Sequence, residues 1–158
     1  MGKKFRILAF IPMLIMMGII WGFSANSGEE SSVQSLGIVY KIIDVVEEIQ
    51  GKEFTPEERI SMEEYIHTPI RKCAHMTEYL VFALTVAFPL CLYMSSKKRV
   101  QWTTFCYCTL YATLDEVHQL YVPERSGQVT DVIVDGVGVA IGVLIFSKVY
   151  GVIHASEI

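Results

Sequence analysis

Charge is scarce in this chain. Asp, Glu, Lys and Arg make up 19% of its 158 residues, against roughly 25% in soluble proteins. Hydrophobic residues reach 52%, the mean hydropathy is +0.40, and an ordinary soluble or disordered domain is thereby excluded. A formal net charge of −4 leaves no basic excess for a phosphate backbone, so no nucleic-acid partner is expected. Cysteine is sparse too. Cys106 and Cys108 have no second pair with which to build a thiolate zinc site. With Cys91 they sit in apolar stretches where cysteine behaves as a small hydrophobe. Cys73 has no obvious local partner, so no disulfide is expected.

The abundant feature is the long apolar run. Ile7 to Phe23, Tyr79 to Met94, Trp102 to Tyr121 and Val132 to Tyr150 each approach the roughly 20 residues that cross a bilayer. The second and fourth reach that length only with their polar starts. The expected fold is all-α: a single domain over residues 1–158, built as a polytopic bundle of four transmembrane helices. Lys3, Lys4 and Arg6 precede the first run, Lys97, Lys98 and Arg99 separate the second and third, and Lys148 ends the fourth. These bases mark the cytoplasmic side. Both termini are therefore placed inside, and residues 24–68 form an extracytoplasmic loop. The first run reads as an uncleaved anchor, because a cut after Ala25 would put bulky Phe23 where a small residue is wanted.

The loop has helical signals. Leu36, Val39, Tyr40, Ile43, Val46 and Ile49 recur at helical spacing, with Asp44, Glu47 and Glu48 on other faces. An amphipathic helix ending near Gly51 is predicted, placed as a cap over the bundle mouth. Thr55, Pro56 and Glu58 form a start signal with a capping box, opening a short helix to about Ile66 whose charged face is read as solvated. Thr68 and Pro69 repeat the signal just before Arg71. Thr130 reads as the N-cap of the last helix, so two helix N-termini are expected beside the polar residues, where they favour anions.

Those polar residues lie at the ends of apolar runs. Arg71, His75 and Glu78 share one face of the second spanning helix at 3.6 residues per turn. Asp115, His118 and Gln119 share a face near the end of the third, with Glu116 turned further round. Arg125 follows in a turn, and Asp131, Asp135, Gly138 and Gly142 align on the fourth. If each run crosses once, all these ends meet in one leaflet, and intramembrane ionisable groups are functional candidates by default. The glycine pair at i, i+4 is a surface that lets another helix approach closely.

Three tasks suit such a basin. His75, Asp115, His118, Asp131 and Asp135 are nitrogen and oxygen donors of the kind that ligate a divalent metal, although no HExxH motif accompanies them. Arg71, Lys72 and Arg125 suit an anionic headgroup, with the acids orienting its hydroxyls. An internal salt-bridge network, with Arg71 or Arg125 pairing Asp115 or Asp131, is the plain structural alternative.

Three segments carry a resemblance: the Phe23-Ser24 end of the first run, residues 71–79 (RKCAHMTEY), and residues 115–127 (DEVHQLYVPERSG), continuing through Asp131 to Asp135 and Gly136. Together they resemble the VanZ-like membrane proteins over nearly the whole chain. Departures are Asn26, where that family often has glutamine, and Glu124, where a glycine often precedes the arginine. The resemblance implies a multi-pass protein of the bacterial cell membrane, in a family named for low-level resistance to the glycopeptide teicoplanin, and it implies no assigned reaction. The expected role is a non-enzymatic envelope factor whose partners are membrane lipids and an amphiphilic or lipoglycopeptide-like ligand. Its candidate ligand-binding residues are Arg71, His75, Glu78, Asp115, Glu116, His118, Gln119, Arg125, Asp131 and Asp135. No cofactor is predicted. The alternatives are a divalent-metal-assisted hydrolase or transferase acting on a phosphate-bearing lipid, and a structural or partner-binding protein.

Overall fold

The computed structural model describes residues 3–155, and the extreme termini assigned to the basic side lie outside them. The described residues fold into six helices: α1 (Lys3–Leu8), α2 (Ile11–Ser24), α3 (Gly28–Gln50), α4 (Pro56–Cys91), α5 (Lys97–Gln119) and α6 (Val129–Ala155). Helices α2, α4, α5 and α6 form the bundle, in which α4 packs chiefly on α6 and both contact α5. The core is Ile20 from α2, Tyr79, Phe82, Ala83 and Val86 from α4, Cys108 and Ala112 from α5, and Val139 and Val143 from α6. All four cysteines are free.

Three segments are long and apolar enough to cross a membrane: Arg6–Ser24, Pro56–Cys91 and Val129–Tyr150. The fourth expected span lies in α5, whose threonines and closing Asp115, Glu116, His118 and Gln119 lower its apolar character. Those polar residues do not face lipid as a group. Thr104, Asp115, Glu116 and Gln119 are buried, because α5 contacts α2, α4 and α6.

Helix α4 corrects the expectation of two separate helices. It runs unbroken for 36 residues, with Pro69 and Pro89 inside it, a length of about 54 Å. Pro69 lacks the N–H that would bond to the Tyr65 carbonyl. That loss is tolerable where Tyr65 is 80% exposed and solvent is at hand. Thr68 therefore starts nothing, and the N-terminus of α4 lies at Pro56, away from Arg71.

The N-terminal half of α4 and α3 form a hairpin. Both start with reciprocal capping boxes, Ser27 with Glu30 and Thr55 with Glu58, and Gly51 closes α3 in the left-handed region at φ 63°. The acids and bases expected to be merely solvated instead join the two helices. Arg59 reaches Asp44 and binds Glu47 at 2.6 Å, Lys52 binds Glu58 at 2.9 Å, and the Tyr40 hydroxyl donates to Glu63 at 2.8 Å. Among the bundle-side contacts, Ser35 and His67 meet at 2.8 Å. The apolar stripe is narrower than expected. Val39 and Ile43 are buried, whereas Tyr40 and Ile49 are exposed, because α3 rests on one helix alone and one helix covers only a narrow stripe.

Where α4 meets α6 the backbones nearly touch. A Cβ on Gly138 would lie 2.1 Å from the Met76 carbonyl oxygen, and one on Gly142 would lie 2.6 Å from that of Leu80. The glycine pair is thus a seam for close approach, and it holds Asp135, one turn above Gly138, against α4 and α5.

Candidate functional site: a polar cluster at one end of the bundle

The end of α2, the middle of α4, the end of α5 and the start of α6 meet around a turn at residues 120–128. Helix α5 stops at Gln119, a few residues before Pro123, and the turn folds back so that Gly127 lies against the Glu116 carbonyl, 2.4 Å from where a Cβ would sit. Glu124 adopts φ 59°, a left-handed conformation in which a side chain costs about 1–2 kcal/mol. This is the position where the resemblance leads one to expect glycine. Its carboxylate accepts the Glu29 N–H at 3.1 Å, while the Gly28 N–H donates to the Pro123 carbonyl at 3.1 Å. The turn therefore ties down the N-terminus of α3. A Cβ on Gly28 would fall 2.2 Å from the Glu124 carbonyl oxygen, so glycine is required for the approach.

Arg125 is the keystone of the cluster. Its guanidinium donates to the Phe23 carbonyl at 3.0 Å, the Asn26 carbonyl at 3.2 Å and the Gln119 side-chain oxygen at 3.3 Å. All three acceptors are neutral, so its charge is held without being cancelled. Gln119 passes the connection on by donating to Asp115 at 3.3 Å. Arg125 also shares a cleft of about 190 Å³ with Arg71, His75 and Glu78, whose walls include Phe23, Ile38 and Ile70. Arg71 makes no ion pair or hydrogen bond with a described residue.

The other candidates take different positions. His118 turns toward α2, where it meets the buried Ser24 hydroxyl at 3.1 Å and stacks on Trp21 with ring centroids 4.2 Å apart. Glu116 accepts the Gln128 N–H at 2.9 Å, just ahead of α6. That helix begins at Val129, so Thr130 lies in its first turn and is not its N-cap. Asp131 pairs with Lys72 at 3.0 Å, which replaces the expected pairing of Arg71 or Arg125 with Asp115 or Asp131. Two helix N-termini do lie near the cluster, but they are those of α3 and α6.

Beneath the cleft is a closed acidic layer. Asp135 is fully buried, Asp115 is 2% exposed and Tyr79 is fully buried. Both Asp135 carboxyl oxygens, the Asp115 Oδ1 and the Tyr79 hydroxyl find no hydrogen-bond partner among the described residues. Asp115 and Asp135 both lie within electrostatic reach of Tyr79. Unpaired polar groups at such depth cost stability, which sets this layer apart from ordinary core. Among the described residues no three His, Cys, Asp or Glu side chains are placed to hold a metal ion.

Ser24 and Tyr79 were not among the candidates read from the sequence. Ser24 ends an apolar helix and resembles an ordinary boundary residue, and Tyr79 blends into the hydrophobic run that follows it. Only their burial beside Asp115 distinguishes them.

Long apolar helices, close glycine packing and a buried polar cluster at one end define a multi-pass helical membrane protein. The family model described as VanZ/LLP1 matches residues 9–152, and the chain belongs to that family. Comparison with the curated proteins and with the solved structures gave no match.

Proposed function

We propose that four helices, α5 included, cross the bacterial cell membrane with the basic end and both termini in the cytoplasm. The hairpin of α3 with the start of α4 then lies outside, and the polar cluster opens to the outer leaflet. There the protein acts as a non-enzymatic envelope factor that binds the anionic headgroup of an amphiphile, with lipoglycopeptides such as teicoplanin within the ligand class and glycopeptide resistance as one outcome. What supports this reading most is a single arrangement. Two guanidinium groups, Arg71 without a described partner and Arg125 with neutral acceptors only, line one cleft beside apolar Phe23, Ile38 and Ile70. Charged hydrogen bonds to an anion and apolar contact with its chain would be made together there. The catalytic alternative draws on the same acids and histidines, but their placement does not favour it.

The test uses Trp21, which stacks on His118, as the reporter in a Trp102→Phe background. Purified protein is titrated with teicoplanin, with dodecyl phosphate and with an uncharged alkyl maltoside. Arg71→Gln is the informative variant, because it removes charge without breaking a described hydrogen bond. Loss of a charged hydrogen bond should weaken binding of the anionic probes about ten-fold or more. Unchanged affinity for both anionic probes would remove the basis of the reading.

A further inference from the structure

We propose that the opposite, basic end of the bundle carries a second binding site, for an anionic phospholipid of the leaflet it faces. The headgroup would enter the cleft where α4 gives way to α5, and one acyl chain would follow the groove between α5 and α6. The cleft has a volume of about 740 Å³ and is lined by Tyr93, Ser95, Ser96, Lys98, Arg99 and Trp102, among others. Beside it runs a groove of about 410 Å³ between Trp102 and Phe105 of α5 and Ala140, Val143 and Leu144 of α6. Trp102 lines both, so a basic polar compartment continues into an apolar one along the helix axes. That sequence of surfaces matches the order of groups in a phospholipid.

Charge complementarity selects the occupant. Lys97, Lys98 and Arg99 form no ion pair with a described residue, and the first turn of α5 has no acidic residue. Arg6 lies over the Tyr93 ring at 4.8 Å, adding a further cation beside the cleft. Tyr93 and Trp102 are exposed, as aromatic residues are where a membrane meets water. Basic residues near a bilayer surface each favour an anionic lipid by up to about five-fold. The site lies at the far end of the bundle from the Arg71 and Arg125 cleft, and it holds whether or not that cleft binds a ligand.

The sequence contains two tryptophans, so Trp21→Phe leaves Trp102 as a single reporter. The protein is reconstituted into phosphatidylcholine vesicles containing equal mole fractions of brominated phosphatidylglycerol or brominated phosphatidylcholine, and quenching of Trp102 is compared. We expect a several-fold preference for the anionic lipid, reduced to near unity by Lys98→Gln with Arg99→Gln. It should be unaffected by Lys41→Gln with Lys52→Gln on the hairpin, or by millimolar inorganic phosphate. Lys98 and Arg99 are exposed, and an unchanged helical circular dichroism spectrum establishes that their replacement leaves the fold intact. Equal quenching by both lipids in the Trp21→Phe protein would overturn the proposal. So would a preference that survives the double substitution, or one abolished by phosphate, which would assign the cleft to a free anion.

Discussion

Gly138→Ala is the sharpest test of how the bundle is built. The added methyl would sit 2.1 Å from the Met76 carbonyl oxygen and 2.9 Å from its carbon. Both are backbone atoms of a helix, so no side-chain rotation relieves the clash. Restoring ordinary contact, which begins near 3.4 Å, moves α4 and α6 about 1.3 Å apart along this line. Overpacking of this kind costs about 1–3 kcal/mol, while alanine in place of glycine returns up to about 1 kcal/mol of helix propensity. Gly136 provides the control, because it lies one turn or less away on the same helix with nothing within 4 Å of its added Cβ. Gly136→Ala should therefore be neutral or stabilising by up to about 1 kcal/mol. For a chain of this length each kcal/mol shifts the melting midpoint by about 2–4 °C. Thermal melts in one detergent, followed by circular dichroism, should thus separate the two variants, with Gly138→Ala the lower by several degrees. Equal midpoints would refute the close approach of α4 and α6 on which the placement of Asp135 depends.

Three further outcomes follow from the hairpin and the turn. Glu124→Ala loses the acceptor for the Glu29 N–H yet keeps the left-handed backbone, whereas Glu124→Gly loses the acceptor and relieves the strain. Glycine should be the more stable of the two by about 1 kcal/mol in thermal melts, and a reversed order would deny the strain. The Arg59 hydrogen bonds, and then the Phe54 N–H, push the Glu47 carboxyl down to about 2 from an ordinary 4.5. A depressed acid stabilises the folded form above its unfolded pKa, so the contribution of this group is lost as pH falls from about 4.5 toward about 2. Hydrogen exchange in α3 should therefore be less protected at about pH 3 than at about pH 6 in the parent, with a smaller pH difference in Glu47→Gln; the same pH difference in both would show that Glu47 is not responsible. Single cysteines at Ser61 and Ser96, in a variant without native cysteines, should react from opposite sides with an impermeant thiol reagent, and labelling of Ser96→Cys from outside intact cells would invert the proposed topology.

Much of this arrangement was legible in local chemistry. Apolar runs announced the spanning helices because hydropathy is a sum over neighbouring residues and needs no partner. The Thr55 and Glu58 capping box and the Gly51 stop were readable for a similar reason, since each is completed within a few residues of chain. Gly138 and Gly142 announced a seam, because glycine pairs one turn apart have few other uses on a membrane helix. Pro69 was misleading. Its local preference is to start or break a helix, and the packing of α4 overrode it.

The sequence alone determined that the protein is helical and membrane-bound, with basic residues at one end and mixed polar residues at the other. Only the tertiary structure decided which of those polar residues meet. Helical periodicity assigns a side chain to a face, but the partner on that face comes from a helix far along the chain. Ser24 meets His118 across 94 residues, and Arg125 reaches the Phe23 carbonyl across 102. Arg71, His75, Glu78 and Arg125 therefore share a cleft, while His118, Glu116 and Asp131 are drawn to Ser24, Gln128 and Lys72, because each partner depends on how the helices rotate and approach one another when they pack.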